Sequence, residues 1–197
     1  MVNEVNPFIE HLERHLGPIH NGATLCEGVL GAQFQACPFA ESTTFVSVGL
    51  SHHVFQQGNS APARIEFLVA CHKHFVSALN PLSIIAGLCE QAISLHRVPP
   101  RGTVIGPRGK FFETTKMEAL YCASPVYFAD ALSPFVGLQE PVIIIWLVPI
   151  TPDEAMYIES HGWSAFEDRL EEINPDLLDL KRASVVAPNY AIKGTSV

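Results

Sequence analysis

The sequence predicts a single α/β (α+β) domain, helices packed on a sheet, and three observations carry the prediction. Residues 142–148 (VIIIWLV) follow Pro141 as an apolar run without alternation, the pattern of a strand covered on both faces. Residues 81–96 repeat Ile84, Ile85, Leu88, Cys89, Ala92 and Leu95 at helical spacing. From Thr151 onward two short helices announce themselves by their caps. With 197 residues, 48% hydrophobic and 16% charged, the chain is long and apolar enough to bury a core without disulfides or metal.

Taken in order, residues 7–16 fit a helix whose Phe8, Ile9, Leu12 and Leu16 share one face, stopped by Gly17-Pro18. An irregular stretch follows to Thr43. Residues 44–50 read as a strand, and 63–70 as a clearer one, with Ile65, Phe67 and Val69 pointing one way and Arg64, Glu66 and Leu68 the other. The long helix at 81–96 opens with Pro81, suited to a first turn. A loop rich in Pro and Gly spans 97–110, and strands are expected at 118–122 and 126–129 before the run at 142–148.

Thr151-Pro152-Asp153-Glu154 combines a capping threonine, a first-turn proline and a glutamate three residues past the cap. Ser164 with Glu167 repeats the cap and the glutamate, with Gly162 between the helices as a terminator. On the second helix Phe166, Leu170 and Ile173 form a stripe, which sets Glu167, Asp168, Glu171 and Glu172 mainly on the outer side. Asn174-Pro175 ends it.

Charge is concentrated in this region. Residues 151–180 hold nine acids against Arg169, which accounts for the whole net charge of −8. Such a face attracts a basic partner and repels nucleic acid and anionic membrane. The plainer reading is a solvated helical surface. No basic and apolar leader precedes the first helix, and the longest apolar run is well short of the roughly 20 residues a membrane-spanning helix needs. A cytoplasmic protein is therefore expected. Cys26, Cys37, Cys71, Cys89 and Cys122 are widely spaced and form no C-x-x-C pair, so reduced thiols are expected rather than a disulfide framework or a thiolate zinc site.

Several motifs invite chemistry. His11 and His15 stand at i and i+4, a zinc-binding spacing that His20 would complete, but Glu13 between them lies about 200° around the helix from His11. A solvent-facing pair is the simpler reading. Cys71-His72-Lys73-His74 ends a strand with soft ligands, near His52-His53 if the two strands pair. The glycine-rich stretch from Gly102 to Lys110 fails as a phosphate loop, with Val104 in place of a glycine and Phe111 in place of a serine or threonine. Arg101, Arg108 and Lys110 read as exposed loop charges facing the acidic helices. Adjacent strand residues point to opposite faces, so Cys71 and His72 do not make a nucleophile and base. No catalytic residue, metal ligand or cofactor is assigned.

Arg64 and Glu66 lie side by side on one strand face, either as a structural polar pair that organises the sheet or as a recognition surface at an edge. The structural reading is preferred. Trp163 reads as packing between the two C-terminal helices and, next to the acids, as a candidate interface anchor.

Leu147-Val148-Pro149-Ile150-Thr151-Pro152-Asp153-Glu154, then Tyr157-Ile158, His161-Gly162-Trp163-Ser164-Ala165-Phe166 and Asn174-Pro175-Asp176-Leu177-Leu178-Asp179-Leu180, resemble the C-terminal part of bacterial suppressor-of-fused domain proteins. Upstream, Phe45-Val46-Ser47-Val48-Gly49-Leu50-Ser51 and Arg64-Ile65-Glu66-Phe67 resemble two strands of that family. The family's tryptophan before the long helix is replaced by Phe75, and its Pro-Gly loop appears as Pro99-Pro100-Arg101-Gly102. Animal homologues use a second domain to clamp a transcription-factor peptide. No counterpart is found here, so that ligand is not carried over.

The resemblance implies a mixed sheet and a non-enzymatic protein-binding role, plausible for an immunity protein that neutralises a toxin. One domain over 1–197 is expected, with a core at about 40–186 and a C-terminal tail at 187–197. The sheet is expected from 44–50, 63–70, 118–129 and 142–148. Partner-binding candidates are Glu167, Asp168, Glu171, Glu172 and Trp163, facing a basic protein. The alternatives are a metal-dependent hydrolase using His11, His15, His52, His53, His72 or His74, and a structural adaptor.

Overall fold

The computed structural model describes residues 6–35, 41–56, 62–78, 81–107, 115–137 and 140–186. The tail at 187–197, Cys37, Arg108 and Lys110 lie outside the described residues. Seven strands form one sheet: β1 (Ile19–Cys26), β2 (Val29–Gln35), β3 (Ser42–Val48), β4 (Arg64–His72), β5 (Val104–Ile105), β6 (Ala119–Ala123) and β7 (Val142–Ile150). Their spatial order is β1-β2-β3-β4-β7-β6-β5. Only the β4–β7 pairing is parallel, with Arg64 opposite Val142 and Leu68 opposite Trp146; the other pairings are antiparallel. The expected mixed sheet with flanking helices is therefore present.

Helices cover both faces. Helix α2 (Pro81–Leu95) lies on one, where Ile85, Leu88, Cys89 and Ala92 meet Phe45, Ile65, Phe67, Val69, Ile145 and Leu147. Helices α1 (Pro7–Leu16), α3 (Pro152–His161) and α4 (Trp163–Ile173) cover the other, against Phe34, Val46, Leu68, Tyr121, Trp146 and Val148. Alternate residues of β7 thus enter opposite cores, which is why its sequence does not alternate. Each fully buried aliphatic or aromatic side chain contributes about 1.5–3 kcal/mol by leaving water.

Capping chemistry sets the helix ends. The Asn6 carboxamide accepts from the Phe8 amide at 2.9 Å at the start of α1. Thr151 and Glu154 form the full reciprocal box at α3, with the Thr151 amide donating to Glu154 at 2.9 Å. At α4 the expected Ser164 cap is corrected. Gly162 ends α3 at φ 83° and turns the corner alone, so α4 begins directly at Trp163 without a side-chain cap.

Three strand expectations change. Residues 19–35, read as irregular, form the β1–β2 hairpin, closed by Glu27-Gly28 with Gly28 at φ 75°. Residues 126–129 form a turn rather than a strand, with Val126 exposed and the Tyr127 hydroxyl donating to the Pro175 carbonyl at 2.8 Å. The short β5 pairs with β6 inside the loop assigned to 97–110.

Beyond Val46 and Leu68 the β3–β4 ladder ends and polar side chains enter the gap. Glu66, wholly buried, accepts from Ser47 Oγ at 2.5 Å and from the Gly49 and Ser51 amides at 2.9 Å each. Ser47 Oγ in turn accepts from the Phe67 amide at 2.9 Å. Arg64 turns to Glu140 at 2.6 Å and donates to the Ser51 and His52 carbonyls at 2.9 and 3.1 Å. Instead of bonding each other, Arg64 and Glu66 grip the same turn, one by its carbonyls and one by its amides.

Candidate functional site

The face carrying α4 contains a cleft of about 340 Å³ between that helix, β6, β7 and the 124–127 turn. Tyr121, Tyr127, Trp146, Val148 and Leu170 supply apolar and aromatic walls, while Arg101, Glu167, Glu171 and Asn174 supply polar groups. Trp146 is held against Tyr127 and Phe128, with ring centroids 5.1 and 6.0 Å away. Tyr127 fastens the far wall, since its oxygen also lies 3.4 Å from the Leu177 amide.

The acids expected to face a partner divide into two groups. Asp168, Glu171 and Glu172 are exposed on α4, and Glu172 pairs with Arg169 one turn away. Glu167 is corrected: it is half-buried, accepts from the Tyr121 hydroxyl at 2.7 Å and binds Arg101 at 2.6 Å. The Tyr121 phenol is pushed above its ordinary pKa, first by burial and then by its bond to Glu167. Phe166 packs edge-on to Tyr121 with centroids 5.3 Å apart, so α4 is docked on β6 through both an apolar and a polar contact.

Trp163 is also corrected, because it packs beyond the helix pair on the 101–102 turn. The Arg101 guanidinium lies 5.0 Å from its ring centroid, and Gly102, at φ 88°, sits directly beneath the ring. The indole remains 42% exposed, so one face grips the turn and the other meets solvent. The Pro-Gly loop is thereby clamped onto α4 by Trp163 and Glu167 together.

A second polar centre secures the chain after α4. Glu154, with no exposure, binds Arg182 through both oxygens at 2.6 and 2.9 Å and accepts from the Val185 amide at 3.0 Å. Arg182 also donates to the Ala183 and Pro149 carbonyls at 3.1 and 3.3 Å. The same carboxylate that caps α3 therefore stitches the segment after α4 to the domain. Sequence reasoning assigned Glu154 to the cap but had no signal for Arg182.

The histidines are distributed over separate structural contacts. His11, expected to face solvent with His15, is buried, and its Nε2 lies 2.9 Å from the Leu132 carbonyl oxygen. His72 lies 2.7 Å from Asp176 and stacks on His74 with centroids 5.7 Å apart. His52 is exposed, whereas His53 is half-buried near Phe55. Among the described residues no group of three or more His, Cys, Asp or Glu is arranged to hold a metal ion. Burial pushes the Cys71 and Cys122 thiols up to about 12, which leaves them poor nucleophiles. No helix among the described residues is long and apolar enough to cross a membrane.

Comparison with known proteins matches residues 27–183 to the family described as Suppressor of fused protein (SUFU). Immunity protein YqcF of Bacillus subtilis (strain 168) is 26% identical over 146 residues, 73% of this chain and 74% of that protein. The fold is shared with a SUFU homologue from Neisseria gonorrhoeae FA 1090, at TM-score 0.69 and 17% identity, covering 91% of this chain and 95% of that one. A chain of the Sufu-Fu complex gives TM-score 0.67 at 12% identity, covering 91% of each chain. Drosophila Suppressor of Fused gives 0.63 at 13%, where 90% of this chain spans 50% of the larger protein. With the sequence match running from the β1–β2 hairpin through α4 and the Arg182 contact, the chain belongs to the suppressor of fused (SUFU) family.

Proposed function

We propose that this chain is a non-enzymatic binding protein that acts in the cytoplasm as an immunity factor, neutralising a toxin by direct contact. The observation that carries the reading is the exposed row Asp168, Glu171 and Glu172 beside an aromatic cleft. Carboxylates at such a rim steer a basic partner inward, and aromatic walls supply the desolvated contact that holds it. The relative named an immunity protein supports the same role.

The test uses a toxin domain encoded beside the gene for this chain, produced with and without it. The chain should restore growth and form a complex with the purified toxin. In the variant Asp168→Asn, Glu171→Gln, Glu172→Gln the association rate should fall about tenfold, as should that of the unmodified chain between about 50 and 300 mM salt. Absence of both protection and complex overturns the immunity reading. Unchanged association kinetics in the variant overturn the surface assignment.

A further inference from the structure

The open edge of the sheet lies at the end away from the acidic helices. β1 stands first in the spatial order, so one side of it is unpaired among the described residues, and residues 19–24 are exposed throughout. The opposite edge strand, β5, is two residues long. Edges that stay single are kept short or carry charge or proline to refuse a second strand. Residues 19–26 carry neither, and between Arg14 and Glu41 the one charged residue is Glu27, at the hairpin turn. On the α1 face this edge borders a groove of about 310 Å³ whose lining is wholly uncharged and includes Ile9, Ile19, Gly22, Leu30, Ala32 and Val48. Ile19 and Leu30 are 36% and 52% exposed.

We propose that this edge pairs with β1 of a second copy of the chain, antiparallel about a two-fold axis, joining the two sheets into one. The charge pattern selects the occupant. A partner recognised by charge is drawn to the nine acids of 151–180, and the β1 edge offers it nothing. In self-pairing each residue meets its own counterpart or a near neighbour, so any charge would confront its like, and an uncharged strand meets that condition. The two-fold keeps like faces together, which sets the apolar groove of one copy beside that of the other.

The register is also constrained. Shifts between Ile19 and Asn21 and between Thr24 and Cys26 confine the regular ladder to residues 21–24. Cross-strand partners share a face, so the axis passes at a residue, Gly22 or Ala23. There the Gly22 amide now donates to the Asn21 carboxamide oxygen at 2.9 Å, a bond that a second strand replaces. Helix α4 docks on β6, five strands from β1 and about 24 Å away. The acidic ends of the two copies therefore stand well beyond the screening length of about 8 Å, and both α4 clefts stay open. The proposal stands apart from the immunity reading.

The test is sedimentation equilibrium of the full chain from about 1 to 300 μM, a range suited to a small interface. The mass should rise from 21.6 kDa toward twice that value. Hydrogen exchange at residues 19–26 should slow with concentration over the same range. Gly22 is the position to perturb, because a Cβ there meets the Gly31 carbonyl oxygen at 3.5 Å, an ordinary contact that the folded monomer accommodates. Gly22→Lys and Gly22→Glu each set like charges about 5–8 Å apart across the axis and should weaken association at least about tenfold. An equimolar mixture of the two should recover it, since lysine then faces glutamate.

A mass that stays at 21.6 kDa up to about 300 μM overturns the proposal. Association unaffected by either variant, or exchange at residues 19–26 that does not depend on concentration, overturns the assignment to β1. A mixture no more associated than its two components overturns the two-fold pairing.

Discussion

Glu66 should make the folded protein less stable as pH rises, against the common behaviour of protein carboxylates. It is fully buried in the gap between β3 and β4, and its cationic neighbour Arg64 is turned toward Glu140 and the 51–52 carbonyls. Burial pushes its carboxyl from 4.5 up to about 7, with the bonds from Ser47, Ser51 and Gly49 pulling the other way. Between those values the folded state holds a proton that the unfolded chain has released, so stability falls with pH across that window and levels off above it. At about 1.4 kcal/mol per pH unit the full effect is about 3 kcal/mol.

Glu66→Gln removes the titration while keeping the shape. The Gly49 and Ser51 amides share one Glu66 oxygen, which the Gln carbonyl oxygen replaces, while the Gln amide nitrogen takes the other position and donates to Ser47 Oγ, so any offset is one that does not vary with pH. Urea unfolding at steps from about pH 5 to pH 8 then gives two stability curves, and their difference isolates this group from every other titrating residue. Relative to the variant, the native chain should lose about 2.5 kcal/mol over that range, the rest of the effect lying below about pH 5. Parallel curves would show that Glu66 ionises without cost, and the burial argument would fail.

Two other substitutions test the remaining polar centres. Arg182→Met leaves Glu154 charged, buried and without its bidentate partner, so unfolding free energy should fall by about 3–5 kcal/mol; the double variant Glu154→Gln, Arg182→Met should recover part of it, and a double variant no more stable than the single would refute the pairing. Gly102→Ala places a Cβ 2.5 Å from the Trp163 ring at φ 88°; the denaturation midpoint should drop by the equivalent of about 1–3 kcal/mol, and an unchanged midpoint would show that Trp163 does not clamp the turn.

The parts of the fold legible in the sequence are those where one local signal decides the outcome. Thr151 through Glu154 specify a helix start because the cap, the proline and the glutamate act on the same few amides. β7 is legible because burial on both faces removes alternation. The β1–β2 hairpin is hidden because most of β1 is exposed, so its residues carry no apolar pattern and pairing rests on the backbone. Of the candidate surface, Asp168, Glu171 and Glu172 follow from helical spacing. Glu167 does not, since its partners Tyr121 and Arg101 lie far away in sequence and no helical wheel contains them. Trp146 reads only as core, although an indole N–H within an apolar strand is itself a sign that an acceptor is needed.

The single parallel seam also bears on how the chain is made. Strands β1 to β4 follow one another by antiparallel neighbours, so that half of the sheet is complete early in synthesis. The inward edge of β4 then waits without a partner until Val142 and the residues after it emerge. For that interval Ile65 and Phe67 sit on an open strand edge that any extended chain can extend. A ribosome stalled before β7 would therefore release an aggregation-prone fragment, whereas a break after Val186 would leave no strand of the sheet unpaired.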